Sequence, residues 1–404
     1  MPSVRGEIIR QVTEEYLATT KGKDPNTQSA EVQGAILDEI GARIDAENAI
    51  RPSGMKWRIP EKLLPEQVAM VIACRHPVAL ISTAGENSNK EFSLLALYQE
   101  SGENEGLYDT SDEVIDRLAS KYCFGITDFE LKEVKRNLRL IVPTKIPTAD
   151  KNLIAVNNGI FDYDQKQLLP FSPNYVFTRK SRIDYKDTAQ NIVIHNQEDN
   201  TDWDIESWMD DLFDDSEIAD LMWKILGAVI RPNVPWGKSV WFYSETGNNG
   251  KGTLCELMRQ LCGKDSYASI PLSDMGKDFM LEPLIRAIAI IVDENDVGIY
   301  IDKAANFKAI ITGDGIQINR KFKTPIAFQF HGFMVQCLNE MPRIKDKSDS
   351  FYRRQLFVPF KKCFTGAERK YIKQDYLHRR DVLEYVLYKV LNMNYYGLSV
   401  PKAC

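Results

Sequence analysis

Histidine is scarce in this chain, with four in 404 residues. The seven cysteines (Cys74, Cys123, Cys255, Cys262, Cys337, Cys363 and Cys404) contain no C-x-x-C pair. Together these shortages argue against a zinc site built from Cys and His. An odd, scattered set of cysteines suits a reducing compartment rather than a disulfide framework, and several sit in apolar runs as small core residues do. No apolar run reaches membrane-spanning length and no secretory leader is visible. The expectation is a cytoplasmic protein, in a bacterial host cell, with no membrane partner. A strong charge excess is missing too. The net charge of −6 argues against a chain coated with basic patches, though not against local ones. Internal repeats and low-complexity tracts are lacking. The acidic stretch Glu198–Asp220 reads as solvated helix faces and caps, and Asp210–Asp220 is not a calcium loop because its carboxylates lack EF-hand spacing and the central glycine. A hydrophobic content of 44% and a charged content of 27% describe an ordinary globular protein. The length suits two or three domains.

Against that background Ser239–Leu261, SVWFYSETGNNGKGTLCELMRQL, stands out. The run Val240, Trp241, Phe242, Tyr243 reads as a strand. It stops at a Gly/Asn turn, and Leu254, Leu257, Met258 and Leu261 then recur at helical spacing. N–H groups at a helix start carry partial positive charge and bind phosphate. Lys251 adds a point charge there for β- and γ-phosphates. The pattern G-x-x-x-x-G-K-[ST] is imperfect, since Glu245 replaces the first glycine and Gly252 the hydroxyl residue. The phosphate-binding set is therefore Gly247, Asn248, Asn249, Gly250, Lys251, Gly252 and Thr253, with Thr253 given the Mg²⁺-ligand role. The plainer reading is an ordinary Asn/Gly turn.

Ala287–Val292 is apolar enough for a strand buried on both faces and ends in Asp293 and Glu294. Acids at such a carboxyl end sit where open α/β sheets bind ligands. Asp293 would hold Mg²⁺ and Glu294 would polarise the attacking water. A further apolar run, Gly332–Asn339, ends in Asn339, an amide suited to sensing the γ-phosphate or to opening a turn. Arg353 and Arg354 precede another strand-like segment. An arginine from a neighbouring subunit can stabilise phosphoryl-transfer charge, although paired arginines are commonly just solvated. Between these segments Ile316, Ile318, Ile326, Phe328 and Phe330 alternate as hairpin strands do. Arg320, Lys321, Phe322 and Lys323 lie at the tip, a set suited to DNA phosphates and a base or sugar.

Phosphate loop, acidic strand end, basic hairpin, strand ending in Asn and RR segment occur in this order. That combination resembles a superfamily-3 helicase core of the phage, plasmid and poxvirus primase-helicase type. Upstream, NLIAVNNGIFDY (152–163) with Phe171-Ser172-Pro173, the LYQ…GLY pattern of 95–108, and the helical stretch 208–227 resemble the region preceding the helicase in that family. Downstream, LNEMPRIKDKSDSFYRRQLFVPF resembles the family's N-x-x-P…RR…PF signature. The resemblance implies an α/β fold: an AAA+-like P-loop ATPase core, a parallel sheet flanked by helices. A mixed α/β domain and an N-terminal helical segment would precede it. It further implies ATP and Mg²⁺ as cofactors, a homo-oligomeric, hexameric ring, and single-stranded or forked DNA in its channel. Primase or other replication proteins are implied as possible partners. In roles, Lys251 and Thr253 contact phosphate and metal, Asp293 and Glu294 are the acids, and Asn339 is the sensor. Arg353 or Arg354 acts in trans, with Arg354 favoured because it adjoins the strand. Lys321 and Lys323 serve as hairpin cations.

The expected organisation is a helical segment at 1–60, a collar-like α/β domain at 61–235, the ATPase at 236–365 and a C-terminal helical segment at 366–404. In the first, Ile8, Val12, Tyr16, Val32, Ile36, Ile40 and Ile44 form stripes better suited to packing than to DNA. No separate primase catalytic domain is visible. The sequence ends before a C-terminal winged helix would fit, so either truncation there or a naturally short form is expected. The functional expectation is a DNA-dependent ATPase and helicase of a mobile-element or phage replication system. Two alternatives stay open: a non-hydrolysing ATP- and DNA-binding initiator scaffold, and a small-molecule P-loop phosphotransferase.

Overall fold

The computed structural model describes residues 4–20, 29–85, 92–298, 300–301, 304–402 and 404. They fall into two compact units, Met1–Ser82 with Asn89–Ile146, and Thr83–Ser88 with Pro147–Cys404.

In the first unit the helical stripes close on themselves. Val12, Val32, Ile36, Ile40 and Ile44 are buried, in one core with Val68, Ile72, Ile115 and Leu138. These come from helices Val4–Thr20, Ser29–Ala49, Pro65–Arg75, Asp112–Tyr122 and Asp128–Ile141. The last begins at a capping box: the Thr127 hydroxyl accepts from the Glu130 N–H, and the Glu130 carboxylate accepts from the Thr127 N–H. A sheet in the order 108–109, 94–98, 78–81, 144–145 completes the unit. Its pairings are antiparallel except the last.

The second unit centres on a five-stranded, wholly parallel sheet. Its spatial order is Tyr267–Ala268, Ala289–Val292, Phe333–Leu338, Ser239–Tyr243, Gln355–Pro359. Every residue of Ala289–Val292 and Phe333–Leu338 is buried, as expected of parallel strands covered on both faces. One face is covered by helices Lys251–Cys262, Ser216–Ile230 and Arg380–Asn392, which share a core with Val335, Cys337 and Val358. The other face carries Trp241, ringed edge-on by Phe307, Phe351 and Phe357. Residues 315–320 and 323–329 pair as an antiparallel hairpin. Ile316, Ile318, Ile326 and Phe328 are buried along one side, as the alternation requires.

The segment 61–235 contributes to both units, dividing near Ile146. Beyond that point Ile154, Phe161, Trp208 and Leu221 pack in the same core as Leu254 of the loop helix and Leu383 of the C-terminal helix. Burial joins 147–235 and 366–404 to the parallel sheet, so compactness follows this shared core rather than the Pro-rich punctuation at residues 60–65.

Candidate functional site

The chain runs from Ser239–Tyr243 to the far edge at Tyr267–Ala268, returns through Ala289–Val292 and Phe333–Leu338, then crosses to Gln355–Pro359. Strands 239–243 and 333–338 are neighbours whose outgoing connections leave in opposite directions. Open α/β sheets bind ligands outside the carboxyl ends at such a switch point.

Lys251 occupies that point. It is the first residue of helix Lys251–Cys262 and is 6% exposed. Its Nζ donates to the Asn339 Oδ1 at 2.8 Å, the Ser244 carbonyl at 3.3 Å and the Leu338 carbonyl at 3.4 Å. Lys251 and Asn339, distant in sequence, are thus brought together across the two central strands. Burial lowers the Lys251 pKa below that of an ordinary lysine. No carboxylate pairs with this ammonium among the described residues. Below it, the Cys255 and Cys337 sulfurs lie 3.3 Å apart. The hydrogen bond between the two thiols, with burial, raises the Cys337 pKa, so Cys337 does not supply an anion. A buried cation held only by neutral oxygens is costly and is suited to receive an anion.

The loop geometry fits the same ligand. Gly250 takes φ +87, and a Cβ there would meet Leu212 Cδ2 at 2.8 Å, so the helix start depends on glycine. Asn248 takes φ 52, a left-handed conformation that Asn tolerates. Its carbonyl accepts from the Phe364 N–H at 2.7 Å, and its Nδ2 donates to Glu368 Oε1 at 3.1 Å. Asn249 donates to the Thr246 carbonyl and accepts from the Lys251 N–H. Gly247 is open, with nothing near its missing Cβ.

Asp293 follows strand Ala289–Val292 as expected, but its oxygens are engaged. Arg259, two turns along the loop helix, donates to them at 2.7 and 3.1 Å. That hydrogen bond holds the Asp293 carboxyl below its usual pKa. Glu294 is exposed. Asn295 is buried instead, donating to Gln336 Oε1 and the Cys337 carbonyl and accepting from the Leu272 N–H. It fixes the acidic turn against the neighbouring strand.

Thr253 lines a cavity of about 460 Å³ together with Asn248, Gly250, Phe364, Glu368 and Lys373. Among the described residues no cluster of three or more His, Cys, Asp or Glu could hold a metal. Of the two residues expected to hold Mg²⁺, Thr253 lines this cavity and Asp293 does not; the Asp293 oxygens are engaged by Arg259, which would have to share them with a metal.

The arginines part company. Arg353 is exposed. Arg354 turns back on its own turn, donating to the Ser350 carbonyl and hydroxyl, and its Nε is buried. At the hairpin tip Phe322 is wholly exposed with φ 58, between exposed Lys321 and Lys323, while Arg320 donates to the Thr324 carbonyl. Arg259, Asn295, Gln336 and Lys373 escaped the sequence reading. Arg259 alone left a trace, as a cation inside an otherwise apolar helical stripe.

Comparison with known proteins adds two family matches. Residues 93–214 match a model described as D5 N terminal like, and residues 242–354 match a family of unknown function, DUF5906. The D5 N-terminal-like match falls on the region likened above to the part that precedes the helicase in phage- and plasmid-type primase-helicases, and the resemblance to that group holds. Among solved structures it is similar to the apo C-terminal region of NrS-1, with TM-score 0.48, 13% identity, 81% of this chain and 71% of that chain covered. A second apo structure of that region gives TM-score 0.47, 13% identity, and coverage of 81% and 71%. JCV helicase gives TM-score 0.28, 14% identity, and coverage of 46% and 52%. No helix among the described residues is long and apolar enough to cross a membrane.

Proposed function

We propose that this chain is an ATP-driven DNA helicase of a phage, plasmid or mobile-element replication system, with an AAA+-like P-loop core acting as a homo-oligomeric ring. The observation that carries the reading is Lys251, a buried ammonium without a carboxylate at the sheet's switch point. The D5 N-terminal-like match supports a replication role.

In this reading the triphosphate lies across the helix start, with its oxygens on the backbone N–H groups of 250–252 and on Lys251 Nζ. Mg²⁺, when bound, neutralises phosphate charge. Asn339, already bonded to Lys251, senses the terminal phosphate. Glu294 is exposed and able to polarise water. Exposed Arg353 suits the trans role better than Arg354, whose guanidinium is spent within its own turn. The tip Lys321-Phe322-Lys323 would contact DNA.

ATP turnover with and without single-stranded DNA tests the reading. The expected result is hydrolysis stimulated by DNA. Nucleotide binding without hydrolysis in either condition would favour an initiator scaffold. Hydrolysis indifferent to DNA but responsive to a small acceptor would favour a phosphotransferase.

A further inference from the structure

Gly252 is the loop's departure from the usual hydroxyl residue, and the structure shows what lies over it. A Cβ built at Gly252 would sit 3.6 Å from Lys373 Nζ. Lys373 belongs to the short helix Lys370–Gln374, in the segment that also grips the phosphate loop through Phe364 and Glu368. Its ammonium lines the same cavity as Thr253 and acts electrostatically on Asp293, lowering that carboxyl further. Among the described residues Lys373 makes no hydrogen bond or ion pair of its own. Lys370 and Lys362 also line the cavity, but Lys362 is committed to the Asp211 and Phe213 carbonyls.

We propose that Lys373 is a second lysine of the triphosphate site, contacting phosphate oxygens from the C-terminal side. This rests on the nucleotide reading above and adds a residue to it. The argument is one of placement. Asn248, Gly250 and Thr253 at the helix start line the space where a polyphosphate would lie. An ammonium with no carboxylate of its own lines that space, within ordinary contact distance, 3.6 Å, of where a Cβ on residue 252 would sit. The Lys373 head group thus lies beside the first turn of the loop helix, within reach of a phosphate bound at that helix start. Because Glu368 and Phe364 hold Asn248, ligand contact through Lys373 would also tie the C-terminal segment to the loop.

The test is a titration of wild type, Lys373→Ala and Lys373→Arg with MgATP, MgADP and AMP. A lost charge-assisted hydrogen bond corresponds to a loss of about tenfold or more in affinity. Lys373→Ala is expected to weaken MgATP by about that factor while leaving AMP unchanged, and Lys373→Arg to retain most of the affinity. A purely structural lesion would weaken all three ligands alike and would overturn the proposal. So would a Lys373→Ala chain that binds MgATP as wild type does, which would make Lys373 a solvated lysine only. If wild type binds no nucleotide, the loop reading falls and this inference with it. Wild-type binding with an indifferent variant removes the inference alone.

Discussion

Replacing Gly250 with alanine separates a nucleotide-binding loop from an ordinary turn. The residue sits at φ +87 directly before the loop helix. Left-handed backbone costs an L-residue about 1–2 kcal/mol. The new methyl would also approach Leu212 Cδ2 to 2.8 Å. The leucine tip can rotate, so this overpacking adds about 1 kcal/mol. The sum, about 2–3 kcal/mol, corresponds to a thermal shift of about 4–10 °C for a unit of this size. Gly247 is the internal control. Nothing lies within 4 Å of its missing Cβ and its φ is not positive, so Gly247→Ala should be nearly neutral in stability. Gly252→Ala is intermediate, with an ordinary 3.6 Å contact and helical backbone. Differential scanning fluorimetry with and without MgATP reads both effects. Gly250→Ala should lower the melting temperature and lose the ligand-induced rise. A Gly250→Ala chain that melts and responds to MgATP like wild type would refute the steric and phosphate arguments together.

Three other perturbations reach different parts of the molecule. Replacing Lys321 and Lys323 with alanine should flatten the salt dependence of single-stranded DNA binding by about 1.4 in log–log slope, at about 0.7 per phosphate contact; an identical slope would clear the hairpin of any phosphate contact. Mixing Arg353→Ala with Glu294→Gln chains should restore part of the ATPase activity, whereas Arg354→Ala mixtures should not; the reverse pattern would reassign the trans arginine. His76, bonded to the Tyr122 hydroxyl at 2.9 Å, has its pKa lowered by burial from 6.5 to about 4. The unfolded chain therefore binds more protons between those values, and the first unit should lose stability as pH falls from 6.5 toward 4. His76→Gln should remove most of that acid sensitivity, and an unchanged pH profile would count against a buried neutral imidazole.

Strand–loop–helix, acidic strand end and basic hairpin were legible because each is local. Period-2 and period-3.6 patterns meet glycine or a charge at the boundary, and Ala289–Val292 and Lys251–Cys262 appear where those patterns place them. Asn339 near the phosphate loop is expected as a sensor amide, while its direct bond to Lys251 depends on the pairing of strands 239–243 and 333–338, which the sequence does not display. The pairing of Arg259 with Asp293 was not legible either, because it depends on which helix turn faces which strand, and spacing carries no such information. The buried Asn295–Gln336 bond and the reach of Lys373 to Gly252 are equally long-range. Equally hidden was the local engagement of Arg354: an arginine one helical turn after Ser350 can spend its guanidinium on its own turn. Nor did local punctuation show that residues 147–235 share a core with the loop helix, since that depends on tertiary burial.

The central claim is that Lys251 is a buried cation kept for an anionic ligand. Its most direct measurement pairs MgATP titration with thermal unfolding of nucleotide-free Lys251→Met. Methionine fills similar volume without the desolvated charge, so the account predicts a melting temperature at or above wild type and MgATP affinity reduced at least about tenfold. A Lys251→Met chain that still binds MgATP as tightly as wild type would contradict it.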